Sequence, residues 1–187
     1  MPSSVLVEKK KLENPPLQMH HLGDRVLRQS AKRVAKVDDE VREIVRQMLQ
    51  TMYSEDGIGL AAPQVGIHKQ IIVVDIEPDK PEVAPLVLIN PVIKKFGTKT
   101  CSGQEGCLSI PGVYLDVERP EAIEVSFKDE TGRVRTLSAD GLLSRAIQHE
   151  IDHLNGVLFV DRVENQLALN QELKKRGFSA NDVRSIR

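Results

Sequence analysis

Gln148-His149-Glu150-Ile151-Asp152-His153 is the segment around which the rest of the chain is built. It is an H-E-x-x-H pattern, and around it Leu142, Leu143, Ala146, Ile147, Ile151 and Leu154 recur at helical spacing. At about 100° per residue, His149 and His153 lie about 40° apart on one helix face, with Glu150 on the same side. Two imidazoles one turn apart can hold one divalent ion from a rigid element, and a carboxylate beside them can act on water. Ser138 or Asp140 is suited to cap the start, and Asn155-Gly156 offers a left-handed stop. Taken alone, the pair also fits ordinary core or surface histidines with satisfied hydrogen bonds. A third ligand separates the two readings, because a catalytic site uses three protein ligands and keeps one position open.

Composition bounds the rest. At 187 residues the chain is long enough for one domain with a real core. Lys plus Arg number 26 against 27 Asp plus Glu, a net charge of −1, which gives no general electrostatic case for nucleic acid. No apolar run approaches the ~20 residues of a membrane span, and MPSSVLVEKKKLENPP lacks a signal-peptide core. Cys101 and Cys107 are the only cysteines, so a reducing compartment fits better than a disulfide framework. Aromatic residues make up 3%, which leaves the core to aliphatic side chains.

Outward from the motif, residues 1–16 read as a loose polar arm ending in Pro15-Pro16. Asp38 to Tyr53 reads as a helix packed on a sheet, with Val41, Ile44, Val45, Met48 and Met52 on one face and Asp38 or Asp39 as cap. Gly57-Ile58-Gly59-Leu60-Ala61-Ala62-Pro63-Gln64-Val65-Gly66 is small enough to admit another backbone, and it lacks the Gly-Lys-Ser/Thr ending of a phosphate loop. Ile71 to Ile76 and Leu86 to Ile89 read as buried strands. Ile123 to Phe127 and Val134 to Leu137 flank Asp129-Glu130-Thr131-Gly132, a hairpin signal. Val163, Leu167 and Leu173 suggest one face of a terminal helix closed by Arg176-Gly177.

Glu105-Gly106-Cys107-Leu108-Ser109 stands as a loop-like segment between two strand-like regions. A lone intracellular cysteine is usually a buried core residue, yet this one accompanies an H-E-x-x-H helix with no obvious downstream ligand. His153 is followed by Leu-Asn-Gly-Val-Leu, which excludes the H-x-x-G-x-x-H continuation of one protease class. Glu164 and Glu172 keep a zinc endopeptidase with a downstream Glu ligand open. A structural metal site in a binding module stays open too, with His20-His21 or Cys101 as the fourth ligand.

GIGLAAPQVG, EGCLS and QHEIDH, in this order, resemble the three motifs of the peptide deformylases, with similarity from about His20 to Val163. Ser109-Ile110-Pro111-Gly112 leading to Tyr114, where other members carry a Glu-Gln-Arg type segment, resembles the bacterial and plastid-like subclass. The resemblance implies an α+β fold, mostly antiparallel sheets around a central metal-binding helix with a C-terminal helix. It covers a catalytic domain (17–163) and leaves outside it the arm (1–16) and a helical tail (164–187), which are read from their own residues. It further implies a hydrolase that removes the N-formyl group from the initiator methionine of new polypeptides, releasing formate. Cys107, His149 and His153 would hold one divalent ion, ferrous iron by the family's habit, with zinc and nickel as alternatives. Glu150 would be the acid–base residue, and Gln64 with the Leu108 backbone amide would stabilise the oxyanion.

By the same resemblance, Glu105 is a candidate to orient a ligand histidine, and Asp56 and Arg119 are expected to form a supporting ion pair. Asp152 reads as solvated and Cys101 as an ordinary thiol. Ile58, Gly59, Gly106 and Ala146 are the expected substrate contacts, Ile58, Leu108 and Ala146 walling an apolar pocket for methionine. The expected partners are formyl-methionyl peptides of nascent chains near the ribosome, with neither DNA nor membrane, in a bacterial cytoplasm rather than a plastid.

Overall fold

The computed structural model describes Val5 and residues 7–186. In chain order it runs α1 (Asp39–Ser54), β1 (Gly59–Ala61), β2 (Ile71–Val74), β3 (Leu86–Phe96), β4 (Thr100–Cys107), β5 (Ile110–Pro120), β6 (Ala122–Lys128), β7 (Val134–Asp140), α2 (Gly141–Leu154) and α3 (Gln166–Lys175). Five strands form one sheet in the order β1-β2-β3-β6-β7, and β4 and β5 form a separate ribbon. Every strand pairing in both sheets is antiparallel. This is the expected α+β class.

Alternation along the strands puts a helix on each face of the larger sheet. Leu60, Ile71, Val73, Val87 and Ile89 point toward α1 and share a core with Val45, Met48 and Met52. Ala61, Ile72, Val74 and Leu88 point the other way, to Ala146, Ile147 and Leu154 of α2. The period of two in the strands and of 3.6 in the helices thus sandwiches the sheet. The H-E-x-x-H helix in turn lies between this sheet and the β4–β5 ribbon, to which Arg145 and Gln148 bond. The third core joins Ile110, Val113, Leu115 and Val117 of β5 to Phe159, Leu169 and Leu173.

Several local readings are resolved or corrected. Asp38 caps α1, accepting from Val41 N–H at 3.0 Å. Ser138 lies inside β7, and Asp140 occupies the cap position of α2 without a capping side-chain bond. Gly156 takes φ +71° and stops α2 as expected. Strand β3 runs on past Ile89 to Phe96, through Pro91. The register shifts between Ile89 and Val92, and Asn90 adopts φ +52° with its side chain bonded to Val34 N–H and C=O, both at 2.8 Å. A proline without an N–H is tolerated in a strand at such a bulge.

On α3, Leu169 and Leu173 are buried and Leu167 is 70% exposed. The four-residue spacing of Leu169 and Leu173 defines the inner face; Leu167, two positions from Leu169, faces solvent. The segment read as a loose arm is held at several points. Lys9 Nζ lies 2.7 Å from Asp75 Oδ2 with both side chains nearly enclosed, and Tyr53 Oη donates to the same oxygen at 2.6 Å. Leu12 N–H donates to Ser54 Oγ (3.0 Å) and Leu17 N–H to Thr51 Oγ1 (3.3 Å). Val5 and Val7 also pack into the α1 core, so the polar composition of the segment conceals an attachment made by two valines, hydrogen bonds and one buried ion pair.

Candidate metal centre and active site

The side chains that could hold a metal ion come from two layers. Strand β4 carries Cys107 at its end, and α2 carries His149 and His153 one turn apart. Glu105-Gly106-Cys107 is therefore strand, where the sequence reads loop; Cys107 pairs with Ile110 across a register shift, and Leu108-Ser109 make the turn. Donor atoms of Cys107, His149 and His153 all lie within 4.8 Å of one another. Cys107 Sγ is 3.4 Å from His153 Nε2, and the two imidazole rings meet edge-on with centroids 5.1 Å apart. His149 also stacks on Phe159, a buried neighbour that no motif announces.

The donor set fits a metal on the chemistry of its surroundings. A thiolate with two imidazoles is a ligand set for zinc or ferrous iron. His149 Nδ1 is bonded to Glu105 Oε1 at 2.8 Å, which leaves Nε2 for an ion. Glu150, next in sequence to His149 and lining the same cleft as Cys107 and His149, has its Oε2 buried with no hydrogen-bond partner among the described residues. An unpartnered buried carboxylate oxygen is costly unless something at the site uses it.

Electrostatics separate the groups. Burial pushes the Glu150 carboxyl up to about 7, with His149 pulling in the opposite direction. Burial drives His153 well below the usual imidazole value, and the neighbouring His149 adds to it. For His149 burial acts the same way, but its bonds to Cys107 and Glu105 outweigh it and raise the value. Burial would raise Glu105, yet the bonds from His149 and Arg119 hold it down at about 2.

Arg119 is the hub behind the site. It donates from Nε and Nη2 to both oxygens of Glu105 (2.6 and 2.9 Å) and from Nη1 to Asp152 (2.9 Å). The expected Asp56–Arg119 pair does not form, because Asp56 sits exposed past the end of α1 and meets Lys11 Nζ at 2.5 Å. Nor is Asp152 solvated: buried, it also takes two bonds from Arg162, at 2.6 and 2.9 Å. Arg145 completes the network, donating to Glu105 Oε2 (2.7 Å), Val117 C=O (2.8 Å) and Cys101 C=O (2.9 Å). Sequence reasoning missed Arg145; an arginine at an inward position of an amphipathic helix is the signal that could have found it. Replacing Arg119 by Met should cost about 3 kcal/mol, because Glu105 loses its bidentate partner while staying buried. Urea unfolding measures it, and a loss under about 1 kcal/mol would mean that the network matters little to stability.

Gln64 is buried on the thiolate side. Its Oε1 accepts from Ala61 N–H at 2.9 Å, and its Nε2 points to Ser109 Oγ (3.1 Å) and Cys107 Sγ (3.5 Å). The short helix Ala62–Val65 holds it there. Gly59 passes so close to Glu150 that a Cβ would stand 2.6 Å from its Oε1, and one on Gly57 would stand 2.6 Å from Leu108 Cδ1. These glycines are therefore close-approach residues. A cleft of about 950 Å³ opens beside them, lined among others by Ile58, Gly59, Gly106, Leu108, Ala146 and Glu150.

The alternative ligand sets find no support. Glu164 is exposed, and Glu172 pairs with Lys175 at 2.9 Å on α3. Cys101 is exposed, and His20 Nδ1 pairs with Asp24 at 2.5 Å. Among the described residues, Cys107, His149 and His153 are the one group of donors that could hold an ion.

An H-E-x-x-H helix with a strand-borne thiolate, a buried carboxylate and an adjoining cleft defines a hydrolase built around a single metal site. Comparison with known proteins makes this specific. The polypeptide deformylase family matches residues 16–168. A peptide deformylase of Microchaete diplosiphon is 68% identical over the full length of both chains. One from Thermosynechococcus vestitus is 69% identical over all of this chain and 99% of its own. The crystal structure of a peptide deformylase from Synechococcus elongatus in complex with actinonin superposes with a TM-score of 0.97 at 65% identity, covering 98% of this chain and 100% of that one. The Thermotoga maritima peptide deformylase gives 0.75 at 39% identity, over 79% and 97%.

The chain belongs to the polypeptide deformylase family. Its activity is the hydrolysis of the N-formyl group from the initiator methionine of new polypeptides.

Proposed function

We propose how these residues divide the work, and that the resident ion is ferrous iron, with zinc or nickel as substitutes. The observation that carries the reading is the unpartnered Glu150 Oε2 beside the Cys107–His149–His153 donors, at the wall of an open cleft. Cys107 Sγ and the Nε2 atoms of His149 and His153 hold the ion. When bound, it supplies Lewis acidity that brings the pKa of a water from ~15.7 toward neutrality. Glu150 accepts the proton of the attacking water and returns it to the departing amine as the formyl C–N bond breaks. Gln64 Nε2 and the Leu108 N–H donate to the oxygen that develops negative charge, each such donor contributing ~3 kcal/mol in comparable sites. An amide suits this place because it donates without adding ground-state charge. The Glu105–His149 bond fixes the ring's orientation.

The substrate lies extended along Gly57-Ile58-Gly59, and its methionine enters a pocket between Ile58, Leu108 and Ala146. The formylated ends of nascent chains at the ribosome, in a bacterial cytoplasm, supply such substrates. No described helix is long and apolar enough to cross a membrane. The choice of ion is tested by oxygen. Protein loaded with ferrous iron should lose formate-releasing activity in air and keep it longer with nickel or zinc. Full aerobic activity with zinc alone would sink the iron assignment and leave the deformylase reading standing.

A further inference from the structure

The N-terminal segment precedes the three motifs and has no part in the chemistry above, yet Pro15, Pro16, Leu17 and Gln18 line the same cleft as Glu150 and His149. They are not loosely draped there. Leu12 and Leu17, on either side of the prolines, donate backbone N–H bonds to Ser54 and Thr51 in the last turn of α1. Further back, the enclosed Lys9–Asp75 pair anchors the segment to the residue after β2, and Asp75 N–H donates to Ile58 C=O at 2.8 Å. Beyond the prolines, Met19 Sδ is 3.9 Å from Ser109 Oγ, and His20 N–H donates to Gln64 C=O at 2.8 Å. The segment is thus stitched to the cleft at both ends.

Its place along the cleft follows from the chain. The reacting end lies where Gly59 touches Glu150. From Gly59 the chain runs back through Ile58 and Gly57 to Asp56 and Glu55, all of which line the cleft together with Pro15 and Pro16, and Lys11, Leu12 and Leu17 tie the proline segment to Asp56, Ser54 and Thr51. An extended peptide advances about 3.3 Å per residue. A substrate running along this wall with its methionine at Ile58 brings its third residue alongside Asp56, where Lys11 ties the N-terminal segment down. Proline rings have a fixed φ and no side-chain entropy to lose, so they make a preformed apolar surface.

We propose that Pro15-Pro16-Leu17 is a specificity-determining wall of the peptide groove, contacting an apolar side chain at the third position of the substrate. This rests on the deformylase reading. The test compares formate release from formyl-Met-Ala and formyl-Met-Ala-Leu-Ser by the full-length protein and by its Pro15→Gly, Pro16→Gly double variant. The wild-type protein should favour the longer peptide in kcat/KM by about 10-fold, and the variant should lose most of that ratio through KM. An unchanged ratio overturns the proposal. So does an equal fall on both peptides with a lowered Tm, which would make the segment a brace only. If the wild-type protein releases no formate from either peptide, the deformylase reading itself fails, and this inference with it.

Discussion

Glu150→Gln should lower turnover on a formylated peptide by at least about 10²-fold, while the protein still binds one metal ion per chain. The two halves of this expectation have separate causes. The proposed metal donors are Cys107, His149 and His153, and an amide at position 150 leaves untouched the His149–Glu105 bond and the His149–Phe159 stacking. Gln also has the shape of Glu, which matters because Gly59 leaves no spare room beside that side chain. What the substitution removes is the capacity to take a proton from water and deliver it to the amine. Metal analysis and formate release on the same preparation read both halves. A metal-loaded variant with near-normal turnover would rule out Glu150 as the base.

Cys107→Ser should abolish metal retention after dialysis and lower activity by more than about 10²-fold, since a serine hydroxyl is a far poorer ligand than a thiolate. Cys101→Ser is the paired control. Its thiol is exposed, 3.5 Å from Arg145 Nη2, outside the donor cluster. Metal content and activity should match the parent protein. If the two substitutions behaved alike, or Cys101 proved the essential one, the thiolate would be placed wrongly and the ligand set would have to be sought elsewhere.

The legible parts of this molecule are those where a side chain's position follows from its own element. The apolar period of α1 and the i, i+4 histidines of α2 fix which faces turn inward before any tertiary contact is known. The hairpin of β6 and β7 is announced by its turn residues. Cys107 is harder, because Thr100-Cys101-Ser102-Gly103-Gln104-Glu105-Gly106-Cys107 shows no apolar alternation, and most of this ribbon strand has little core to bury into. Its strand character comes from pairing with β5, a partner set by the turn at Leu108-Ser109.

The ion network was the least legible. Asp152 lies between the ligand histidines on a helix with a polar face, and nothing local distinguishes a solvated carboxylate from one enclosed by Arg119 and Arg162. The arginines come from β5 and from the segment after α2, so the contact exists only once ribbon and helix are packed. The misassigned Asp56–Arg119 pair failed for the same reason. Opposite charges distant in sequence have many candidate partners, and tertiary packing selects among them. Leu167 shows a smaller version: a polar helix carries several leucines, and the packed face is decided by what β5 presents.

One ion held by Cys107, His149 and His153 should make this chain release formate. The most direct measurement is formate production from formyl-Met-Ala-Ser by protein stripped of metal and titrated with ferrous iron under exclusion of oxygen. The expected result is activity that rises linearly and levels off at one ion per chain, with one formate for each free methionine amine. Formate release independent of added ion, or cleavage of an internal peptide bond with no formate, would contradict the account.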